Sequence, residues 1–285
     1  MLLVLGKSGQ LAQELAKLNL PDCVFAGRDE IDQLRPAGVE AAIKALAPRA
    51  VINAAAYTAV DRAEAEREAA FDINARSVEA AAKACATLKI PFVHVSTDYV
   101  FAGDGKSPYL EDEAIAPLNA YGASKAAGEQ AICDVGGEFS IIRTSWVYSE
   151  FGNNFVKTMR RLANERESVG VVADQIGSPT YAADLAQACL FMLSTLKSDP
   201  SSRGIYHFSN KGAISWADFA EEVFRLNELE TGKRTGLNRI TSDAFPTPAK
   251  RPAWSVMNNA KIEAKGLVLH DWKPRLAACF ANLLR

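Results

Sequence analysis

The sequence predicts an α/β protein: a doubly wound parallel sheet, followed by a smaller α/β domain that closes over it as a lid. Three observations carry that expectation. Short apolar runs at 2–5, 23–26, 50–56, 92–96 and 139–144 recur, separated by stretches of helical periodicity. The first run opens onto Gly6-Lys7-Ser8-Gly9 and then a helical pattern through Leu18, which is the strand, glycine turn and helix that aims backbone N–H groups at a diphosphate. Past Phe151 the strict beat is lost. The expected division is 1–150 for a dinucleotide-binding domain, with return segments around 168–200, and 151–285 mainly for a substrate-binding domain.

In the first crossover, Gly6 permits a tight turn, Gly9 lets a cofactor approach the backbone, and Ala12 lets helix and strand pack closely. The spacing Gly-x-x-Gly-x-x-Ala differs from the usual dinucleotide fingerprint, so a plain turn is the alternative. After the second strand, Gly27-Arg28 stands where NAD-binding folds commonly carry an acid. Arginine suits a 2'-phosphate, hence NADPH, although Asp29 and Glu30 keep NADH open and Arg28 has a plain surface reading too. Asp32 and Gln33 can reach an adenine edge. A helix over 39–46 leads to a strand ending in Asn53-Ala54-Ala55-Ala56, whose small side chains leave room for a flat cofactor. The charges over 61–68 read as a solvated helix face, and 71–88 continues as an alanine-rich helix.

The strand at 92–96 delivers Thr97-Asp98 to the carboxyl edge, where open parallel sheets bind ligands. His94, inside that strand, reads as a packed core histidine rather than a catalyst. Residues 121–132 form a run of small side chains and helix formers, so Tyr121 and Lys125 fall one turn apart on one face. A free phenol titrates near ~10, and a neighbouring ammonium favours the phenolate, which would make Tyr121 a usable general acid. The bland alternative is an exposed tyrosine beside a solvated lysine. Helices are expected over 156–166, 184–196 and 216–227, a strand over 169–172, and a proline-rich loop over 245–252.

Composition bounds the function classes. The 285 residues are 48% hydrophobic and 23% charged, a globular balance. A net charge of −2 gives no broad attraction for nucleic acid or anionic membrane, so any anion site is local. Cys23, Cys85, Cys133, Cys189 and Cys279 show no metal-ligand spacing and leave an odd one over, as reduced thiols of a cytoplasmic protein would. The opening apolar stretch reads as a buried strand rather than a signal peptide, and no run approaches the ~18 residues of a membrane span.

Gly6-x-x-Gly9, Asn53-Ala54-Ala55-Ala56, Ser96-Thr97-Asp98-Tyr99-Val100-Phe101 and Tyr121-x-x-x-Lys125, in that order, resemble the extended short-chain dehydrogenase/reductases, which have a Rossmann fold. Arg143-Thr-Ser-Trp-Val-Tyr148, Gly152-Asn-Asn-Phe155, Asp174-Gln-x-Gly-x-Pro-Thr180 and Pro246-Thr-Pro-Ala-Lys-Arg-Pro252 narrow the resemblance to the dTDP-4-dehydrorhamnose reductase family. That resemblance implies NAD(P)H-dependent reduction of the C4 ketone of dTDP-6-deoxy-L-lyxo-4-hexulose to dTDP-L-rhamnose. It further implies that Tyr121 donates the proton, that Lys125 binds the nicotinamide ribose, and that Thr97 hydrogen-bonds the ketone. Gly9, Gln10, Leu11, Asp32, Gln33, Ala54, Ala55, Ala56 and Val95 would meet the cofactor, and Thr97, Asp98 and Trp146 the sugar. A homodimer fits the family. Some members hold Mg2+ at a dimer contact built from glutamates; Glu14 could take part, but Ala183 stands where another ligand is expected, and no metal site is assigned.

A dTDP-sugar brings a diphosphate, and Arg251 is the candidate to meet it, its guanidinium fork held by the surrounding prolines. Lys250 competes, and the other location is near Asn154 and the helix of Lys157 and Arg160. Two rival readings are a nucleotide-binding regulatory subunit of the methionine adenosyltransferase type and a sugar-nucleotide epimerase or dehydratase. The presence of Tyr121, Lys125 and Thr97 speaks against the first.

Overall fold

Alternating apolar runs and amphipathic helices fold as their periods dictate. The structure, a computed structural model, describes residues 1–283; residues 284–285 of the expected second domain lie outside the described residues. In chain order the elements are β1 (Leu2–Leu5), α1 (Gln10–Lys17), β2 (Cys23–Ala26), α2 (Pro36–Leu46), β3 (Ala50–Asn53), α3 (Arg62–Ala65) and α4 (Arg67–Phe71). A π-helical segment, Asp72–Arg76, then leads into α5 (Ser77–Leu88), β4 (Phe92–Thr97), α6 (Ala120–Val135), β5 (Phe139–Thr144) and β6 (Val147–Tyr148). There follow α7 (Phe155–Glu165), β7 (Ser168–Val172), β8 (Ile176–Gly177), β9 (Thr180–Tyr181), α8 (Ala182–Ser198) and β10 (Gly204–His207). The chain closes with β11 (Ile214–Ser215), α9 (Trp216–Thr231), β12 (Gly236–Ile240), α10 (Ala260–Glu263) and α11 (Trp272–Asn282).

Six strands in the order β10-β5-β4-β3-β1-β2 form one sheet, and every pairing is parallel. Both faces are covered, so the strands are apolar on both sides. Leu2, Val4, Ile52 and Ile142 pack against Leu11 and Leu15 of α1 and Leu185, Met192 and Leu196 of α8. Leu3, Leu5, Val51 and Ile141 pack against Val39 and Ile43 of α2, Val78 of α5 and Ile132 of α6. Strand order reverses between β1 and β3, the crevice where doubly wound sheets take a ligand.

The second half is divided differently from the expectation. Ser168–Val172 does not return to the sheet; it pairs with Gly236–Ile240 in the smaller body. The returning segment is α8 with β10, because α1 needs an apolar partner on its face of the sheet and the β5 edge is paired by β10. The smaller body has its own core, in which Met159 of α7, Val171, Phe219 and Val223 of α9, and Trp272 and Leu276 of α11 meet. Among the described residues no helix is long and apolar enough to cross a membrane. All five cysteines are free.

A buried ion pair ties α6 to β5. Arg143 Nη2 lies 2.7 Å from Glu129 Oε2, and both side chains are 3% exposed. Removing one partner strands the other in a medium that solvates charge poorly. Arg143→Met should therefore cost about 3 to 5 kcal/mol of stability in urea titrations. The double variant Glu129→Gln/Arg143→Met should recover most of that loss; equal losses in the two proteins would show that the pair is not what holds α6 down.

Candidate active site

The site begins where β1 ends. Gly6 has φ +107°, a conformation that side chains rarely adopt, and a Cβ there would stand 3.2 Å from the Ala55 backbone nitrogen across the sheet. The turn delivers Gly9 to the N-cap of α1, where no side chain caps the helix and no acidic residue occupies the first turn. Free N–H groups and the positive end of the helix dipole thus face outward together. They open into a cavity of about 840 Å³ along the carboxyl edge of the sheet. Its lining includes Gly6, Gly9, Gln10, Leu11, Arg28, Asp32, Gln33, Ala54, Ala55, Ala56, Val95, Thr97, Tyr121, Lys125 and Trp146.

Helix α6 brings Tyr121 and Lys125 to this cavity through local and distant contacts. Asn119 caps it, its Oδ1 accepting the Gly122 N–H at 2.8 Å, and Glu64 Oε1 accepts the Ala120 N–H at 2.8 Å. Glu64 belongs to the stretch expected to be a solvated face; most of that stretch is exposed, Glu64 included, and its carboxylate in addition caps a helix N-terminus. Gly122 allows the close approach, because a Cβ there would lie 2.2 Å from the Tyr99 carbonyl oxygen. Tyr121 is half-buried, its ring edge-on to Tyr99 with centroids 5.5 Å apart.

Lys125 is 1% exposed. Its Nζ donates to the Val95 carbonyl at 2.7 Å and lies 3.2 Å from His94 Nε2. Burial pushes its ammonium down to about 8, with Glu129 one turn on acting the other way. Burial pushes the Tyr121 phenol up to about 12, opposed by the Thr97 hydroxyl. The expected downward pull of Lys125 on the phenol does not appear: desolvation of the phenolate raises it, and the Asp98 carboxyl adds to that rise. Tyr121 therefore stays protonated at neutral pH. The Thr97 hydroxyl donates to Asp98 Oδ1 at 2.9 Å and accepts from the Tyr99 N–H at 3.2 Å, so a ligand oxygen would compete with Asp98 for its one proton.

Three expected substrate residues stand apart from the cavity wall. Asp98 is buried beneath Thr97, and burial raises its carboxyl to about 6. Asn154 caps α7, accepting the Lys157 N–H at 3.1 Å while its amide donates to Gln10 Oε1 at 3.0 Å and to the Ser149 carbonyl at 2.7 Å; its hydrogen bonds are used within the protein. Arg251 is gripped by Asp61, with Nη1 to Oδ1 at 3.0 Å and Nη2 to Oδ2 at 2.8 Å. Its fork is already filled by a carboxylate.

The cavity has the donors and space a dinucleotide requires. Gln33 Oε1 and Ser96 Oγ are buried without a hydrogen-bond partner, and both residues line it. A Cβ on Gly9 would meet nothing within 4 Å, so that turn faces open space. Arg28 is exposed and makes no ion pair among the described residues, whereas Glu30 is drawn off by Lys7 Nζ at 2.9 Å. Trp146 has φ +49°, a strained setting held by stacking on Trp216 with ring centroids 3.5 Å apart. Glu14 is buried and accepts from Ser149 Oγ at 2.6 Å. Among the described residues no group of three or more His, Cys, Asp or Glu side chains could hold a metal ion.

The sequence reading passed over His94 as a partner of Lys125, Asp61 as a partner of Arg251, and Tyr99 as part of the cavity wall. Only Tyr99 had a signal, its place beside Thr97-Asp98 at the strand end.

Comparison with known proteins adds an independent finding. The family model described as RmlD substrate binding domain matches residues 1–285. A dTDP-4-dehydrorhamnose reductase of Sinorhizobium fredii is 42% identical over 277 residues, which is 95% of this chain and 94% of that protein. The crystal structure of a dTDP-4-dehydrorhamnose reductase from Clostridium acetobutylicum superposes with a TM-score of 0.92 at 35% identity, covering 100% of this chain and 99% of that one. The Bacillus anthracis dTDP-4-dehydrorhamnose reductase, solved in complex with NADP, gives a TM-score of 0.90 at 37% identity, covering 99% and 98%.

The glycine turn supplies a clean test. At Gly9 the backbone is extended, φ −73° and ψ 159°, so Gly9→Val should fold with an unchanged melting temperature. Its isopropyl group would project over the α1 N-terminus and should weaken NADPH binding by roughly tenfold or more, about 1.4 kcal/mol. Fluorescence titration measures this; wild-type affinity would show that the diphosphate lies elsewhere.

Proposed function

Because the chain belongs to the RmlD substrate binding domain family, we propose that it reduces the C4 ketone of dTDP-6-deoxy-L-lyxo-4-hexulose, with NADPH as reductant, to give dTDP-L-rhamnose. The observation that carries this reading is the placement of Tyr121 and Lys125, one turn apart on α6, in the same cavity as the uncapped N-terminus of α1.

Bound NADPH supplies the hydride that reaches C4. The N–H groups at Gly9, Gln10 and Leu11 hold its diphosphate, Ala54, Ala55 and Ala56 leave space for it, and Arg28 meets the 2'-phosphate. Tyr121 gives its proton to the oxygen on C4. An alkoxide is a far stronger base than a phenolate, so a phenol raised to about 12 remains a competent donor. Lys125 then reloads Tyr121, its ammonium close enough to neutrality to part with a proton. Thr97 orients the ketone, with Asp98 beneath it fixing the hydroxyl. The stacked pair Trp146 and Trp216 offers an apolar face to the sugar nucleotide. Arg251 serves by holding the 246–252 segment against Asp61, beside Tyr99, and not as a free ligand of the substrate diphosphate. The reading includes a cytoplasmic location, no nucleic-acid partner and a homodimer that is not linked by metal.

The primary experiment follows NADPH absorbance while the 4-keto sugar nucleotide is consumed; stoichiometric oxidation supports the reading and its absence removes it. Tyr121→Phe should lower kcat by about 10² to 10⁴ and leave NADPH affinity nearly intact. Arg28→Ala should weaken NADPH by ~1.5 to 3 kcal/mol and spare NADH; equal losses would deny Arg28 the phosphate. The pH profile carries a sign. Lys125 works as an ammonium whose folded pKa is lowered to about 8, so kcat should hold below that pH and fall as pH rises through it. A profile flat to the range of an ordinary lysine would contradict the assignment.

A further inference from the structure

Three side chains, Asn53 and Lys125 on the cavity wall and His94 behind it, form a hydrogen-bond chain whose direction can be worked out. Asn53 Oδ1 accepts the Ala55 N–H at 3.2 Å. A backbone N–H only donates, so the carboxamide keeps its oxygen toward Ala55 and turns its NH2 toward His94 Nδ1, 3.1 Å away. Nδ1 therefore accepts. A neutral imidazole carries one proton, and with Nδ1 accepting, that proton sits on Nε2 and points at Lys125 Nζ, 3.2 Å away. An ammonium has three donors and no acceptor, while an amine has a lone pair to receive the ring N–H. The chain from Ala55 to Lys125 closes without a clash of donors only when Lys125 is the amine.

We propose that Asn53 and His94 form a hydrogen-bond chain of fixed polarity that favours the uncharged form of Lys125, which makes His94 the positioning residue that readies this lysine to give up its proton. His94 is fully buried, in β4 and stacked near Phe92, so it has no route to solvent and acts through the direction of its N–H bond, not as a proton shuttle. Burial holds the imidazole neutral, its own proton affinity far below the ordinary value, which keeps the one-proton count intact. The other groups facing this centre are few. Glu129 on α6 favours the ammonium, but Arg143 from β5 already holds Glu129; Tyr121 is on the same helix, and Asp98 after β4 acts on Tyr121. The chain and desolvation thus push Lys125 the same way, and a proton donor works best when its affinity lies near the working pH. Ala55 belongs to the cavity wall, so the chain starts at the backbone that faces the cofactor.

The inference rests on the reductase reading for its kinetic readout alone; its structural readout stands without it. In protein with 15N-labelled imidazoles, three histidines give signals, and His94→Gln assigns the one in question. On the alkaline side of the Lys125 transition His94 should be the neutral Nε2–H tautomer. The Nδ1–H tautomer there, or an imidazolium, would overturn the proposal even if the enzyme reading holds. In kinetics, His94→Leu removes the N–H that favours the amine, so the basic limb of kcat should move to higher pH by on the order of one unit. His94→Gln can accept from Asn53 and donate to Lys125 with the same polarity, and should return the limb to its wild-type position. An absent or downward shift in His94→Leu contradicts the proposal. Should that variant fail to fold, the wild-type tautomer and His94→Gln still decide it.

Discussion

A lysine that is 1% exposed is the constraint on which the arrangement depends. Its charge is costly to bury and persists only where fixed partners receive it. The Val95 carbonyl and the carboxylate of Glu129 meet that need, and they come from β4 and α6. To bring them together α6 must lie close on its neighbours, and Gly122 and Gly128 make that approach, each with a backbone oxygen where a Cβ would stand. Arg143 then reaches from β5 to Glu129, so a second strand is tied in. Tyr121, one turn before Lys125, has its height above the sheet set by the same contacts.

The remainder of the site is assembled around that fixed point by two bodies. From the sheet come the glycine turn and the open N-terminus of α1, a local positive end in a protein whose net charge is −2. From the smaller body come Trp146 and its partner Trp216. The 246–252 segment joins them: Arg251 grips Asp61, and the Lys250 carbonyl accepts from Asn119, the residue that caps α6. One capping side chain therefore holds both α6 and the 246–252 segment. A bidentate carboxylate and a diphosphate ask for the same fork, so a diphosphate at Arg251 would have to displace Asp61.

What was legible in the sequence was local. Strand runs, the glycine turn after β1 and the one-turn spacing of Tyr121 and Lys125 are periodicities within a few residues, and the elements lie where those periods place them. The return of α8 and β10 to the sheet was not legible, because an amphipathic helix carries the same pattern whichever body it covers. Asp61 meets Arg251 across 190 positions and His94 meets Lys125 across 31, and no spacing rule reaches that far. His94 was read correctly as buried, yet burial says nothing of what lies against it. Asn154 is the opposite case: an asparagine just before an amphipathic run is a helix-start signal, and it caps α7 as that signal implies.

The central claim is a net reduction at C4, with hydride from the cofactor and the proton from Tyr121. Its most direct test uses NADPH carrying deuterium at the transferable position and examines the sugar product by NMR. The account predicts one equivalent of cofactor oxidised per sugar, deuterium at C4 and none introduced there when the reaction is run with ordinary NADPH in heavy water. A product formed without net oxidation of NADPH, or one that takes its C4 hydrogen from solvent, would contradict it.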